Sequence, residues 1–83
     1  DEDKFECLKL AFDALNTGGT APCILNAANE VAVDKFLNKE IMFSHIPLLI
    51  NKALDKIKNS VTPDLGTIFE CDRQTRKLVR ELS

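Results

Sequence analysis

Asn26, Asn29 and Glu30 are the residues of this 83-residue chain whose types and spacing could carry chemistry. Because positions i, i+3 and i+4 of a helix share one face, the three side chains can converge. Two amides and one carboxylate are a poor set of metal ligands without further carboxylates. Asparagine is also costly to bury without a partner. The group therefore favours a hydrogen-bond network that fastens its helix to a loop or a neighbouring domain, rather than catalysis.

The nucleophile and base candidates are one histidine, His45, and three cysteines, Cys7, Cys23 and Cys71. The cysteines are odd in number and form no CxxC pair, which excludes a complete set of intramolecular disulfides and disfavours a zinc site. We expect free, mostly buried thiols. The histidine would need a Cys or Ser beside it to activate a nucleophile, and its place at the start of a predicted helix favours a structural role.

Four cations fall on one side of the predicted last helix: Arg73, Arg76, Lys77 and Arg80. Such a stripe could grip phosphates, but it is more often a solvated surface, and docking on an acidic protein surface is the remaining alternative. The net charge of −2 and the absence of interleaved aromatic residues disfavour nucleic acid as a partner. The Gly18-Gly19 turn lacks the GxxxxGK[ST] pattern of a phosphate loop.

The helix that must position the polar group is predicted over Cys23–Asn38, after Pro22, which suits a first turn. One broad apolar arc runs along it, made of Ile24, Leu25, Ala28, Val31, Ala32 and Phe36. Val33 and Leu37 lie outside that arc, beside the polar group. Apolar residues on two sides predict a central helix whose second face meets a partner surface.

The first helix is predicted after a charged, frayed lead-in at Asp1–Lys4, and it ends near Gly18. Its apolar side is wide, so we expect the helix to be largely covered; this side comprises Phe5, Leu8, Leu10, Ala11, Phe12, Ala14 and Leu15. A narrow polar stripe opposes it, made of Glu6, Lys9 and Asp13.

A third helix is predicted to follow Ser44 as N-cap, with Pro47 in its first turn. Its apolar stripe contains Ile46, Leu49, Ile50, Ala53, Leu54 and Ile57. The connection before it is predicted to turn three apolar residues inward, namely Ile41, Met42 and Phe43. This is the plainest amphipathic pattern in the chain, with one face toward a core and one toward water.

The last part of the chain is predicted to be a loop over Asn59–Gly66, a short extended piece over Thr67–Cys71, and a helix from Asp72 as N-cap to about Leu82. The inner side of that helix is predicted to contain Thr75, Leu78, Val79 and Leu82. No strand pattern of any length occurs. The chain is therefore predicted to be all-α, a small four-helix bundle-like domain with short loops.

Length and composition bound the function. Eighty-three residues make one domain at most, and no apolar run is long enough to cross a membrane. The chain opens DEDKF, without a methionine, so we expect a fragment of a longer polypeptide. A free-standing helical protein-interaction module is the alternative.

The stretch LNAANEVAV at 25–33, preceded by GGTAP at 18–22, closely resembles the 1-deoxy-D-xylulose 5-phosphate reductoisomerases. FECLKLAFDAL at 5–15 is similar to that family's FPxLxLAxxA segment, with Glu6 in place of proline. FLNKEIMFSHIPLLI at 36–50 is similar to its FLxxxIxFxxI continuation, and the last segment keeps an Asp and an Arg, Asp72 and Arg76, where similar sequences have a D…AR pattern. The resemblance covers nearly the whole chain.

The resemblance implies that residues 1–83 are the C-terminal helical domain of such an enzyme, with the NADPH-binding and catalytic domains absent from this chain. The family enzyme isomerises 1-deoxy-D-xylulose 5-phosphate and reduces the product to 2-C-methyl-D-erythritol 4-phosphate. It uses NADPH and Mg²⁺ or Mn²⁺, in the non-mevalonate route to isoprenoids.

No catalytic, cofactor-binding or metal-binding residue is carried over from the family to this chain, which we expect to be inactive alone. The expected partner is the enzyme's own central catalytic domain, with Asn26, Asn29 and Glu30 as candidate interdomain contacts. We expect a homodimeric parent in the bacterial cytoplasm or a plastid-type organelle, with no nucleic-acid or membrane partner.

Overall fold

The computed structural model describes residues 1–82, so Ser83, the last residue of the predicted domain, lies outside the described residues. Within them the chain forms four helices and no strand: α1 (Glu2–Thr17), α2 (Ala21–Leu37), α3 (His45–Lys56) and α4 (Leu65–Glu81). The predicted all-α fold of four helices with short loops is confirmed. α2 packs against each of the other three helices, as its two-sided apolar pattern predicts, whereas α1 and α4 do not touch.

The core lies where α2 meets α3 and α4, and small residues allow the helices to approach closely there. Ala28, Ala32 and Ala53 are fully buried, beside the larger side chains of Ile50 and Val79. The apolar stripe predicted for α3 is confirmed, because its central residues are buried and its last two pack at the edge of the core. Full burial of a valine, leucine or isoleucine side chain contributes about 1.5–3 kcal/mol to the stability of the fold.

The start of α1 differs from the predicted frayed lead-in at Asp1–Lys4. The Asp1 carboxylate is the N-cap and accepts a hydrogen bond from the backbone N–H of Asp3 at 2.9 Å. Glu2 and Asp3 then supply negative charge to the first turn, where the helix dipole favours it. The predicted end at Gly18 is confirmed, with the glycine at a φ of 73°.

The predicted covering of α1 is wrong for half of its apolar side. Phe5, Leu8, Phe12 and Leu15 are 59–68% exposed, and we call these four residues the α1 ridge. The helix instead contacts α2 and α3 through an adjoining face that contains Leu10 and Ala14. The apolar sector of α1 is wider than the surface that its two neighbours offer, so the ridge remains outside.

The start of α4 is also corrected. The segment Thr67–Cys71 is helical rather than extended, and the N-cap is Asp64 rather than Asp72. The Asp64 carboxylate accepts a hydrogen bond from the backbone N–H of Thr67 at 2.8 Å, which satisfies one of the unpaired donors of the first turn. Asp72 lies in the helix interior. The predicted inner side is confirmed, with Thr75 and Val79 fully buried.

The connection from α2 to α3 shows two smaller differences. Met42 is 69% exposed rather than tucked inward, whereas Ile41 and Phe43 pack against the core as predicted. Ser44 occupies the N-cap position but makes no side-chain capping bond. Nδ1 of His45 accepts a hydrogen bond from the backbone N–H of Met42 at 3.1 Å and fixes this turn instead.

Candidate interdomain surface

Two members of the predicted polar group join α2 to α4 in a chain of hydrogen bonds. The Asn26 amide donates to the Glu30 carboxylate at 3.0 Å, and that carboxylate also accepts from the Arg76 guanidinium at 3.3 Å. Arg76 in turn donates from Nε to Asp72 at 2.9 Å, and this bond raises the pKa of Arg76. Because the Glu30 side chain is 54% exposed, the ion pair contributes about 0–1 kcal/mol.

The third member, Asn29, is exposed, and its side chain makes no hydrogen bond to any other residue within 1–82. It lies beside Asn26 on the wall of an open groove of about 350 Å³ between α1, α2 and α3. The groove is lined by Lys4, Cys7, Leu8, Ala11, Leu25, Asn26, Asn29 and Ile50. The two amides therefore border an apolar surface that includes one residue of the α1 ridge.

The basic stripe on α4 is partly neutralised. Arg73 forms an ion pair with Glu70 one turn earlier, and this hydrogen bond lowers the pKa of the Glu70 carboxyl. Arg76 is held by the carboxylates described above. Lys77 and Arg80 are exposed. Two of the four cations therefore already have carboxylate partners, which fits a solvated surface better than a phosphate grip.

The three cysteines differ in burial. Cys71 is buried, whereas Cys7 and Cys23 are half-buried, and all three are free thiols. Burial raises the pKa of the Cys7 and Cys23 thiols, which keeps them protonated and poorly nucleophilic near neutral pH. His45 serves the turn before α3. Among residues 1–82 no three His, Cys, Asp or Glu side chains are grouped so that they could hold a metal ion.

Two buried polar links, neither of them predicted, tie the helices together. Thr20 is 1% exposed, and its hydroxyl donates to the Asn59 side chain at 3.0 Å and accepts from the backbone N–H of Ser60 at 2.9 Å. Lys35 is 4% exposed, and its ammonium donates to the backbone carbonyl of Arg80 at 3.0 Å. The first link joins the α1–α2 turn to the α3–α4 loop, and the second joins α2 to the end of α4.

The buried position of Lys35 could be predicted from the sequence, but its hydrogen-bond partner could not. Lys35 follows Ile24, Ala28 and Val31 at helical spacing, which places it on the buried side of α2. Its partner carbonyl is 45 residues away, and no local pattern indicates that partner. The helices in the described part of the chain include none that is both long and apolar enough to span a membrane.

The fold defines a class of protein, a small all-α domain of four helices, with an apolar ridge on α1 and two amides exposed beside it. The family model described as the DXP reductoisomerase C-terminal domain matches residues 1–78. The chain belongs to this family.

Similar proteins of known name are reductoisomerases. A 1-deoxy-D-xylulose 5-phosphate reductoisomerase of Listeria welshimeri is 45% identical over 82 residues, which cover 99% of this chain and 22% of the relative. The enzyme of that name from Methylobacillus flagellatus is 51% identical over 76 residues, or 92% of this chain and 19% of the relative. The chain thus spans about a fifth of the length of these relatives. No solved structure matches it.

Proposed function

We propose that this chain is the non-catalytic, structural C-terminal domain of a full-length 1-deoxy-D-xylulose 5-phosphate reductoisomerase. The parent enzyme isomerises 1-deoxy-D-xylulose 5-phosphate and reduces the product to 2-C-methyl-D-erythritol 4-phosphate, with NADPH and Mg²⁺ or Mn²⁺, in isoprenoid biosynthesis. The family match over residues 1–78 is the observation that supports this proposal.

The NADPH-binding and catalytic domains belong to other parts of the parent chain. The proposal is supported by the relatives, in which this domain accounts for about a fifth of the length. The parent is a cytoplasmic homodimer, or its equivalent in a plastid-type organelle. It takes no nucleic-acid partner, in keeping with the net charge of −2 and the partly neutralised basic stripe.

The domain packs on the central catalytic domain, and the face of Asn26, Asn29 and Glu30 contributes to that contact. Asn29 supports the assignment best, because its exposed amide has no partner of its own among residues 1–82 and borders an apolar groove. Asn26 and Glu30 already bond to each other. They therefore hold the rim of the contact in place.

The experiment compares NADPH consumption by the full-length protein and by residues 1–83 alone. Both are supplied with 1-deoxy-D-xylulose 5-phosphate and Mg²⁺ or Mn²⁺. We expect substrate-dependent consumption by the full-length protein and none by the domain. Turnover by the domain alone would contradict its non-catalytic role, and an inactive full-length protein would contradict the assigned reaction.

A further inference from the structure

We propose that the α1 ridge is the surface on which the preceding part of the reductoisomerase chain packs. The inference rests on the proposed function and identifies the face through which the domain serves the enzyme. Sequence reasoning placed the interdomain contact on the polar face of α2 alone. The structure adds a larger apolar surface on α1, beside that face.

The ridge is a largely exposed apolar face. Phe5, Leu8, Phe12 and Leu15 recur at helical spacing, yet each is more than half exposed. The two phenylalanines alone present roughly 200–300 Å² of surface, given about 150–250 Å² for a whole side chain. With the leucines, the patch reaches the size that on monomeric proteins is often functional. No other helix within residues 1–82 covers the ridge.

The ridge is continuous with the groove. Leu8 belongs to the ridge and also lines the groove, whose wall contains Asn26 and Asn29. The ridge and the groove therefore form one surface, in which an apolar strip is bordered by hydrogen-bonding amides. An apolar core with a polar rim is the usual anatomy of a protein interface.

The family and the length of its members identify the segment that covers the ridge. The family is described as a C-terminal domain, and this chain spans about a fifth of its relatives, so most of a full-length chain precedes α1. That preceding chain reaches the domain at Asp1, which is about 6 Å along the helix from Phe5 at 1.5 Å per residue. The ridge thus begins one helical turn after the point where the rest of the enzyme arrives.

The experiment is hydroxyl-radical labelling of the full-length enzyme, read residue by residue by mass spectrometry. Phe69 of α4 is the matched control, because it is 67% exposed where Phe12 is 63% exposed. We expect severalfold less oxidation at Phe12 than at Phe69 in the native enzyme, and similar oxidation of the two after unfolding. Oxidation of Phe12 that is as extensive in the native enzyme as in the unfolded enzyme would overturn the inference.

A second measurement tests whether the covering segment belongs to the same chain. Lys4 lies on the groove, and its amine can be cross-linked in enzyme reassembled from ¹⁴N- and ¹⁵N-labelled subunits. We expect Lys4 to be cross-linked to residues that precede α1 in the full-length chain, with both cross-linked peptides carrying the same nitrogen isotope. Cross-links that join the two isotopes would assign the ridge to a second copy and overturn the inference.

The same preparation is assayed for substrate-dependent NADPH consumption, which separates the two proposals. An active enzyme with a freely oxidised Phe12 overturns only the assignment of the ridge. An inactive enzyme with a protected Phe12 overturns the assigned reaction and leaves the packing surface supported.

Discussion

At the scale of single residues, Asn29 is the side chain through which the interdomain contact can be tested. Leucine in its place removes the amide while keeping a similar size. We expect Asn29→Leu to lower the melting temperature or activity of the full-length enzyme, because a lost hydrogen bond costs about 0.5–1.5 kcal/mol. Asn51→Leu, on the exposed face of α3, is the control and should be neutral. Unchanged activity and melting temperature for Asn29→Leu would contradict the contact.

Thr20 is the residue whose hydrogen bonds hold two distant turns together. Thr20→Val keeps the shape of the side chain but leaves the backbone N–H of Ser60 without its hydroxyl partner. We expect urea unfolding to show a loss of about 1–3 kcal/mol, the cost of a buried polar group that loses its partner. Thr62→Val, at an exposed position of the following loop, should change stability by less than about 0.5 kcal/mol.

The contact between the α1–α2 turn and the α3–α4 loop requires a glycine at position 19. Its φ is 60°, and a Cβ built on it would lie 2.2 Å from the carbonyl oxygen of Ser60. The close approach of the two turns is therefore possible only without a side chain. The sequence showed the Gly18-Gly19 turn as a helix stop, but not that a loop 40 residues later packs against it.

At the scale of elements, the start of α4 depends on one carboxylate. A hydrogen bond from the backbone N–H of Thr67, followed by one from its side chain, lowers the pKa of Asp64. A pKa lowered in the folded state contributes stability above the ordinary aspartate pKa, and that contribution is lost as the pH falls through the lowered value.

We therefore expect Asp64→Ala to lower the melting temperature at neutral pH. The difference in melting temperature between Asp64→Ala and the wild type should narrow below the ordinary aspartate pKa. Asp64→Asn, which can cap without a charge, should keep most of the stability at neutral pH. Melting curves recorded from pH 7 to acid would show this. A difference in melting temperature that stays constant across that range would contradict the role of the Asp64 carboxylate as the N-cap of α4.

The α1 ridge yields the second prediction at this scale. We expect Phe12→Glu to lower the melting temperature of the full-length enzyme, since it would place a charge in an apolar contact. Phe69→Glu should have little effect, although the two phenylalanines are equally exposed in the domain. An unchanged melting temperature for Phe12→Glu would contradict an interface on α1.

Some elements could be predicted and others could not, for physical reasons. The stripes of α2 and α3 are local patterns, so spacing alone located the buried residues. The start of α4 was missed because Thr67–Cys71 contains residues that favour strands, while the cap three residues before Thr67 decides the helix. Periodicity also showed the wide apolar sector of α1, but it cannot show which part the neighbouring helices cover.

At the scale of the whole molecule, α2 is the centre of the fold and the other three helices pack on it. The motif LNAANEVAV lies on this helix, and it combines buried residues such as Ala28 with the exposed amides of Asn26 and Asn29. The segment that most resembles the reductoisomerases therefore contributes both to the core and to the candidate interdomain surface. The Glu30–Arg76 pairing spans 46 residues and became visible only in the folded chain.

The size of the native gene product shows whether these helices belong to a larger enzyme. An antibody raised against this domain would be used to blot an extract of the source organism. A band several times heavier than 9.3 kDa is predicted, in line with relatives of which the domain forms about a fifth. A band near 9.3 kDa would contradict membership of a larger enzyme and indicate a free-standing helical interaction module.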